Sequence, residues 1–286
     1  MTTSTQDHGP SIALVQPAYQ PPDHMVTAAR AAEQSGLSEV WLWEDCFYSS
    51  GIAPAAAILA ATQRMRVGIG LLPVPLRAPS LTAMEIAAIA RMFPGRFLPG
   101  LGHGVADWMA QAGVQVDSPL TLLREHLEAI VPLLQGAEVT RTGRYVSLAR
   151  VRLNFPPQVV PPVYVGGRGP RTLALGAEFA DGVILDDAAP EGRTDPARVR
   201  QVTEHLAATR EAAGRAGRAQ IVVFLPTRMS ATAGQVAEEI AALHAAGADR
   251  VGAFAGGVDA LPASGDDVLR FVDVLAAAQD EVRRGR

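Results

Sequence analysis

Residues 161–185, PPVYVGGRGPRTLALGAEFADGVIL, decide the fold, because they hold a strand, a turn, a helix and a second strand in twenty-five residues. Val163-Tyr164-Val165 is a short β-rich run behind two prolines, and Gly166-Gly167-Arg168-Gly169-Pro170 is a loop whose glycines let a ligand approach the backbone. Pro170 opens the following helix at its first turn, where a missing N–H costs nothing. That helix, Arg171 to Ala180, turns its unpaired N–H groups and positive dipole end toward the glycines, beside Arg168 and Arg171. Such a corner suits a phosphate; the plainer alternative is a tight turn of the kind found in any α/β protein. The dinucleotide spacing G-x-G-x-x-G is absent. Gly182 to Leu185 follows at once, so strand, helix and strand make one right-handed parallel crossover.

The same alternation extends toward both ends of the chain. Ser11 to Val15 is a buried first strand, and Asp23 to Gln34 a helix closed by Gly36. Val40 to Trp43 is a second strand that delivers Glu44-Asp45 at its carboxyl end; Ala53 to Gln63 is a helix and Arg66 to Leu71 a third strand. The helix from Leu81 to Phe93 has an apolar face of Leu81, Met84, Ala88, Ile89 and Met92 and stops at Pro94-Gly95. Arg96 to Leu101 is the fourth strand, ending in Gly102-His103-Gly104. Ser118-Pro119 caps a long helix with the stripe Leu120, Leu123, Leu127, Ile130 and Leu134; Pro132 predicts a kink or an early end, and Gly136 terminates it. Residues 137–160 form a less regular connection. Beyond Leu185 come a helix (Val199, Val202, Leu206), a strand (Ile221 to Leu225), a helix (Val236, Ile240, Leu243), a strand (Arg250 to Phe254) and a last helix (Val268, Phe271, Val272, Leu275).

Eight strands and about eight helices in a chain of 286 residues are the count of an α/β (β/α)8 TIM barrel, with a doubly wound open sheet as the runner-up. A single domain, 11–286, preceded by a disordered N-terminus, 1–10, is the simplest organisation. In a barrel, function collects at the carboxyl ends of the strands. Those ends are Gln16-Pro17, Glu44-Asp45, Gly70 to Pro73, His103-Gly104, Gly166 to Arg171, Asp186-Asp187, Thr227-Arg228 and Ala255-Gly256-Gly257.

Composition narrows the function classes. A net charge of −4, with no basic run or aromatic platform, argues against nucleic acid. The longest uncharged stretch, Cys46 to Gln63, is broken by Ser49, Ser50, Gly51 and Pro54 and does not read as a membrane span. The single cysteine, Cys46, rules out an internal disulfide and fits the cytosol; no secretory signal opens the chain. Asp186-Asp187 has no accompanying histidine cluster, so no metal is expected. The absence of lysine from the whole chain removes a Schiff-base aldolase.

Four segments in order, VGIGLLPVPLRAPSLTAMEIAAI (67–89), PGRFLPGLGHG (94–104), LLREHLEAIVPLLQG (122–136) and residues 161–185, resemble the bacterial luciferase-like family. The resemblance covers residues 30–185 well. It implies a (β/α)8 barrel and an oxidoreductase that uses either the 5-deazaflavin coenzyme F420 or FMN. The third strand is then expected to end in a bulge with a non-prolyl cis peptide, at Gly70-Leu71, backing the tricyclic ring. His103 and Gly104 are expected to contact the ring or its substrate, and Gly166, Gly167, Arg168, Gly169, Pro170 and Arg171 to hold the phosphate of the side chain.

F420-using members carry Asp-His where this chain has Glu44-Asp45. That replacement leaves His103, Glu44 and Asp45 as the candidate catalytic groups, since histidine titrates near neutral pH and a carboxylate in an apolar pocket can be raised toward it. The plain alternative is that one carboxylate caps the loop and the other pairs with an arginine such as Arg77. His126, His205 and His244 read as surface or packing residues. Trp41, Trp43 and Trp108 line the pocket or fill the core, with Trp108 the preferred pocket residue. The GLLPVPLRAP segment and the GGRGP loop resemble the reductase-like members, of methylenetetrahydromethanopterin reductase type, which favours hydride transfer with F420 on a small-molecule substrate. An FMN monooxygenase, served by a flavin reductase, is the alternative, and a non-catalytic flavin-binding protein a second one. A homodimer is implied by the resemblance, with helices flanking strands two to four as its interface.

Overall fold

The computed structural model describes residues 9–185, 194–256 and 265–285. Asp186, Asp187 and Gly257, named above as strand ends, lie outside the described residues, as do residues 1–8 of the expected N-terminal segment. The first half alternates β1 (Ser11–Gln16), α1 (Pro22–Gln34), β2 (Glu39–Leu42), α2 (Ile52–Ala61), β3 (Arg66–Pro73), α3 (Pro79–Met92) and β4 (Phe97–Gly102). A short helix α4 (Ala106–Gln111), the long α5 (Pro119–Leu134) and an antiparallel hairpin of β5 (Val139–Thr142) and β6 (Ser147–Val151) then intervene. Alternation resumes with β7 (Tyr164–Gly167), α6 (Pro170–Phe179), β8 (Gly182–Leu185), α7 (Pro196–Ala212), β9 (Gln220–Thr227), α8 (Ala233–Ala245), β10 (Arg250–Ala255) and α9 (Asp266–Arg284).

Eight strands, all parallel where they pair, close in the order β1-β10-β9-β8-β7-β4-β3-β2, so the chain is a TIM barrel and the open sheet is excluded. Short strands such as EVWL and GVIL are buried at every position, because both faces of a barrel strand are covered. One face packs under the helices. The other fills the interior with Val15, Trp41, Leu98, Tyr164, Ile184, Phe224 and Phe254. Large rings need small neighbours there. A Cβ on Gly68 would strike the Trp41 indole, and one on Gly70 would fall 2.7 Å from Phe224 Cζ. Those two glycines of β3 are therefore volume for the aromatic side chains opposite.

The amino-terminal mouth is closed by charge. Glu39, with no exposed surface, accepts hydrogen bonds from Trp41 Nε1 at 2.7 Å and Ser11 Oγ at 3.0 Å, and pairs with Arg66 at 3.1 Å and with Arg250. Arg250 Nε donates to Tyr164 Oη at 3.2 Å, whose hydroxyl donates to Gln220 at 2.5 Å. These six partners and Glu39 stand at or near the amino ends of β1, β2, β3, β7, β9 and β10, so the network ties most of the ring together.

Three expectations need correction. On α3 the predicted apolar face points outward: Leu81, Met84 and Met92 are 47%, 58% and 60% exposed, while Ala83, Ile86, Ala87 and Ala90 are buried with Ile89. The buried side thus combines Ile86 and Ile89 with small residues, and the apolar spacing alone does not tell it from the outer stripe. Pro132 does not break α5, because it lies in the last turn and the missing N–H forfeits one terminal bond only. Ser118 makes no side-chain cap bond to the backbone; its hydroxyl meets Thr121 Oγ1 at 2.8 Å. The hairpin within residues 137–160 is held by Glu125, which is buried and accepts the N–H groups of Arg144, Tyr145 and Val146 at 2.7, 2.8 and 2.8 Å.

Replacing Glu39 by alanine leaves the Arg250 guanidinium buried without its counter-charge. Urea unfolding of Glu39→Ala is expected to show a loss of about 3–5 kcal/mol, the cost of breaking one side of a buried pair.

Candidate active site

The carboxyl ends of β3, β4 and β7 meet around one leucine. The pairing of β3 with β4 slips between Ile69 and Leu72, and the Gly70–Leu71 peptide is cis, at the position where the sequence resemblance placed a bulge. The Leu71 side chain lies over Gly102 and Gly166: a Cβ on Gly102 would strike Leu71 Cδ2, and one on Gly166 would fall 2.5 Å from the same atom. Glycine at the ends of two neighbouring strands thus makes the seat for the side chain of the bulge.

The loop after β7 has the character of an anion corner. Thr172 N and Leu173 N turn back to the Gly169 carbonyl at 3.0 and 3.1 Å, whereas the N–H groups of Gly169 and Arg171 make no hydrogen bond among the described residues. The Arg171 side chain is exposed and, among the same residues, unpaired. Gly169 has open space where a Cβ would stand. From outside the barrel, α7 braces this corner: Arg198 donates to the Arg168 carbonyl at 2.8 Å and His205 Nε2 contacts the Pro170 carbonyl at 3.1 Å. Two free N–H groups, a helix N-terminus and an unpaired guanidinium fit a phosphate group.

His103 follows β4 directly. Its Nε2 lies 2.9 Å from Thr172 Oγ1, in the first turn of α6, while Nδ1 is buried and forms no hydrogen bond of normal geometry among the described residues. Burial pulls its pKa below the ordinary histidine value, a shift that the Pro119 backbone carbonyl only partly offsets. His103 is therefore a neutral imidazole near pH 7. Gly104 beside it takes a φ of 71°, which glycine adopts without strain.

The two carboxylates at the end of β2 are engaged differently. Both oxygens of Glu44 are held: Arg77 bridges them, with one bond at 2.8 Å, and Gly51 N at the start of α2 donates to Oε2 at 2.5 Å. Burial opposes the Arg77 charge, but the bond to Glu44 and the Glu85 carboxylate at 3.4 Å outweigh it and hold the guanidinium above its usual pKa. Glu44 performs both of the plain roles foreseen for this pair, loop cap and arginine partner. Proton transfer by Glu44 would require that bidentate pair to open. Asp45 is half-buried, and its charge adds to burial in raising the pKa of Tyr19, whose ring meets Tyr48 edge-on at 5.0 Å. The adjoining Cys46–Phe47 peptide is also cis.

Among the tryptophans, Trp41 is core, fully buried. Trp43 is the residue at the mouth, half-buried and packed on Phe254 at 4.9 Å and Phe224 at 6.1 Å. Trp108, the residue preferred from sequence, sits half-buried on α4 and stacks on no ring among the described residues. His126 is a packing residue, buried with Nδ1 and Nε2 at 2.9 and 3.1 Å from the carbonyls of Leu122 and Arg77; His244 Nδ1 contacts the Ala248 carbonyl at 2.8 Å. Sequence reasoning missed Thr172 and the Leu71 seat. The only signal for Thr172 was a hydroxyl residue in the first turn after the glycine loop.

Residues 2–281 match the family described as luciferase-like monooxygenase. The chain belongs to that family. It is 30% identical over 164 residues to a 5,10-methylenetetrahydromethanopterin reductase of Methanolobus tindarius, covering 57% of this chain and 50% of the relative. The chain thus spans about half the length of the curated relatives it matches. Its fold is similar to that of an F420-dependent secondary alcohol dehydrogenase solved with an F420–acetone adduct, with TM-score 0.83, 18% identity and coverage of 96% and 99% of the two chains. It is also similar to the FMN-complexed oxygenating component of 3,6-diketocamphane monooxygenase from Pseudomonas putida, with TM-score 0.76, 14% identity and coverage of 96% and 98%. Among the described residues of this luciferase-like chain, no helix is long and apolar enough to cross a membrane.

A histidine whose pKa is lowered in the folded state binds its proton more readily when unfolded. His103 therefore contributes stability that is full above the unfolded pKa of about 6.5 and is lost as pH falls below it toward the lowered folded-state value. Denaturant unfolding of wild type and His103→Gln at pH 7 and pH 5 is expected to show the smaller acid-induced loss in the variant.

Proposed function

We propose that the protein is an oxidoreductase that holds coenzyme F420 on the carboxyl face of its barrel and transfers hydride to or from a small organic substrate. The observation that carries this reading is the junction of three elements at one place: the Gly70–Leu71 bulge, the anion corner at residues 166–171, and the neutral His103 between them. Similarity to relatives named as F420-dependent, glucose-6-phosphate dehydrogenases among them, supports F420 over FMN. When bound, the deazaflavin would supply the ring carbon that accepts or donates hydride.

The protein's own part is binding, orientation and proton handling. Gly166, Gly167, Arg168, Gly169, Pro170 and Arg171 bind the phosphate, with the N–H groups of Gly169 and Arg171 and the Arg171 guanidinium as donors. Gly70 and Leu71 back the ring, with Gly104 and His103 at its edge. Trp43, Phe224 and Phe254 exclude water from beneath it. His103, neutral at the working pH, accepts or returns a proton at the reacting centre through Nε2 when its bond to Thr172 opens, with Asp45 as the second titratable group at the rim and Glu44 fixing the loop that carries it. FMN-dependent oxygenation, with a flavin reductase as partner, is the second reading; the family match, described as luciferase-like monooxygenase, supports it. A cytosolic homodimer completes the proposal. Leu81, Met84, Ala88 and Met92 form an exposed apolar stripe on α3, continued at Phe47 and Tyr48, which are 65% and 59% exposed.

Calorimetric titration with F420 and FMN, each oxidised and reduced, tests the cofactor. Selective F420 binding is expected; selective FMN binding moves the reading to the monooxygenase, and binding of neither removes both. Gly166→Val drives its side chain into Leu71 and is expected to weaken the bound cofactor at least about tenfold, ~1.4 kcal/mol. Light scattering on a sizing column is expected to give a dimer, and Met84→Glu to shift it toward monomer; a monomeric wild type would overturn the interface.

A further inference from the structure

His103 and Thr172 are separated by sixty-nine positions in sequence and join two strand ends of the barrel. Thr172 is 9% exposed and sits in the first turn of α6. Among the described residues its hydroxyl has one hydrogen-bond partner, His103 Nε2 at 2.9 Å. Its methyl packs elsewhere: a Cβ built on Gly167 would fall 2.6 Å from Thr172 Cγ2, so the side chain is wedged between the phosphate loop and the histidine. A threonine in a helix commonly turns its hydroxyl back to the carbonyl four residues earlier. Here that carbonyl belongs to Arg168 and receives Arg198 instead.

The chemistry of the two sides of the ring is unequal. Nδ1 is buried and has no hydrogen-bond partner among the described residues, while Nε2 faces the Thr172 hydroxyl. With the proton on Nε2, the Thr172 hydroxyl proton and the Nδ1 lone pair would both lack partners among the described residues; with the proton on Nδ1, only that N–H does, so the Nδ1–H form is favoured. Nε2 then carries a lone pair, and the Thr172 hydroxyl is its donor.

We propose that Thr172 is a positioning residue that holds His103 in its neutral Nδ1–H tautomer with Nε2 bonded to the hydroxyl, and so fixes the histidine to the loop at residues 166–171. His103 is thereby prevented from turning to present Nε2–H to the pocket. The part this gives Thr172 in turnover rests on the oxidoreductase reading above; the tautomer itself does not.

The test is 15N NMR of histidine-labelled protein without cofactor, with His103→Gln used to assign the signal. Wild type is expected to show the His103 signal with widely separated ring shifts, the protonated nitrogen being Nδ1. Thr172→Val keeps the methyl over Gly167 and removes only the hydroxyl; it is expected to lose that separation as tautomers mix, and Thr172→Ser to restore it. An Nε2–H signature in wild type, or identical His103 signals in wild type and Thr172→Val, overturns the proposal. Should the valine variant fail to fold, Thr172→Ala read against Thr172→Ser decides by the same criterion. F420 and FMN titration of the same samples separates the two ideas: loss of all binding sinks the oxidoreductase reading while leaving the tautomer result standing, and an unchanged tautomer with intact binding sinks only the role of Thr172.

Discussion

A carboxylate with no exposed surface closes the lower mouth of the barrel, and the rest of the interior is arranged above it. Glu39 has to be satisfied on every side, because an unpaired buried charge would cost more than the fold can spare. Trp41, Ser11, Arg66 and Arg250 satisfy it, and they come from four different strands. Holding the indole nitrogen of Trp41 at 2.7 Å also fixes the plane of the ring. Gly68 must then be glycine, Phe224 meets the ring edge-on at 5.8 Å, and Phe224 in turn occupies the space beside Gly70. A charge at the bottom thus reaches the bulge at the top through a stack of rings.

The upper face is organised by the same constraint of space. Leu71 occupies the places where Gly102 and Gly166 lack side chains, and Thr172 occupies the place of Gly167. The ring-backing bulge, the histidine strand and the anion corner are consequently one rigid assembly rather than three independent loops. Around it the arginines are divided: Arg77 is committed to Glu44 and Glu85, while Arg171 is left to solvent and an incoming anion. In a chain without lysine, every fixed cationic side chain in that division is a guanidinium, whose planar fork suits carboxylate and phosphate alike.

Legibility in the sequence followed the range of the forces involved. The crossover at residues 161–185 was readable because its prolines, glycines and apolar runs act over a few residues. The Gly70–Leu71 bulge was anticipated through resemblance, and glycine at that position was compatible with it. The outward stripe on α3 was misread because hydrophobic spacing says that a face will be covered without saying by what. Leu81, Met84 and Met92 are left exposed while Thr82, Ala83, Ile86, Ala87, Ile89 and Ala90 form the buried side of α3.

The sequence by itself determined the alternation of strand and helix, the barrel class, the glycine corner and the strand ends where chemistry collects, since each rests on local periodicity and backbone geometry. Tertiary structure alone decided which polar groups are engaged and which are available. Glu44 is tied to an arginine thirty-three residues away and His103 to a threonine sixty-nine residues away. Those partners are brought together only when the barrel closes, and hydrogen bonding across strand ends leaves no periodic trace in the chain.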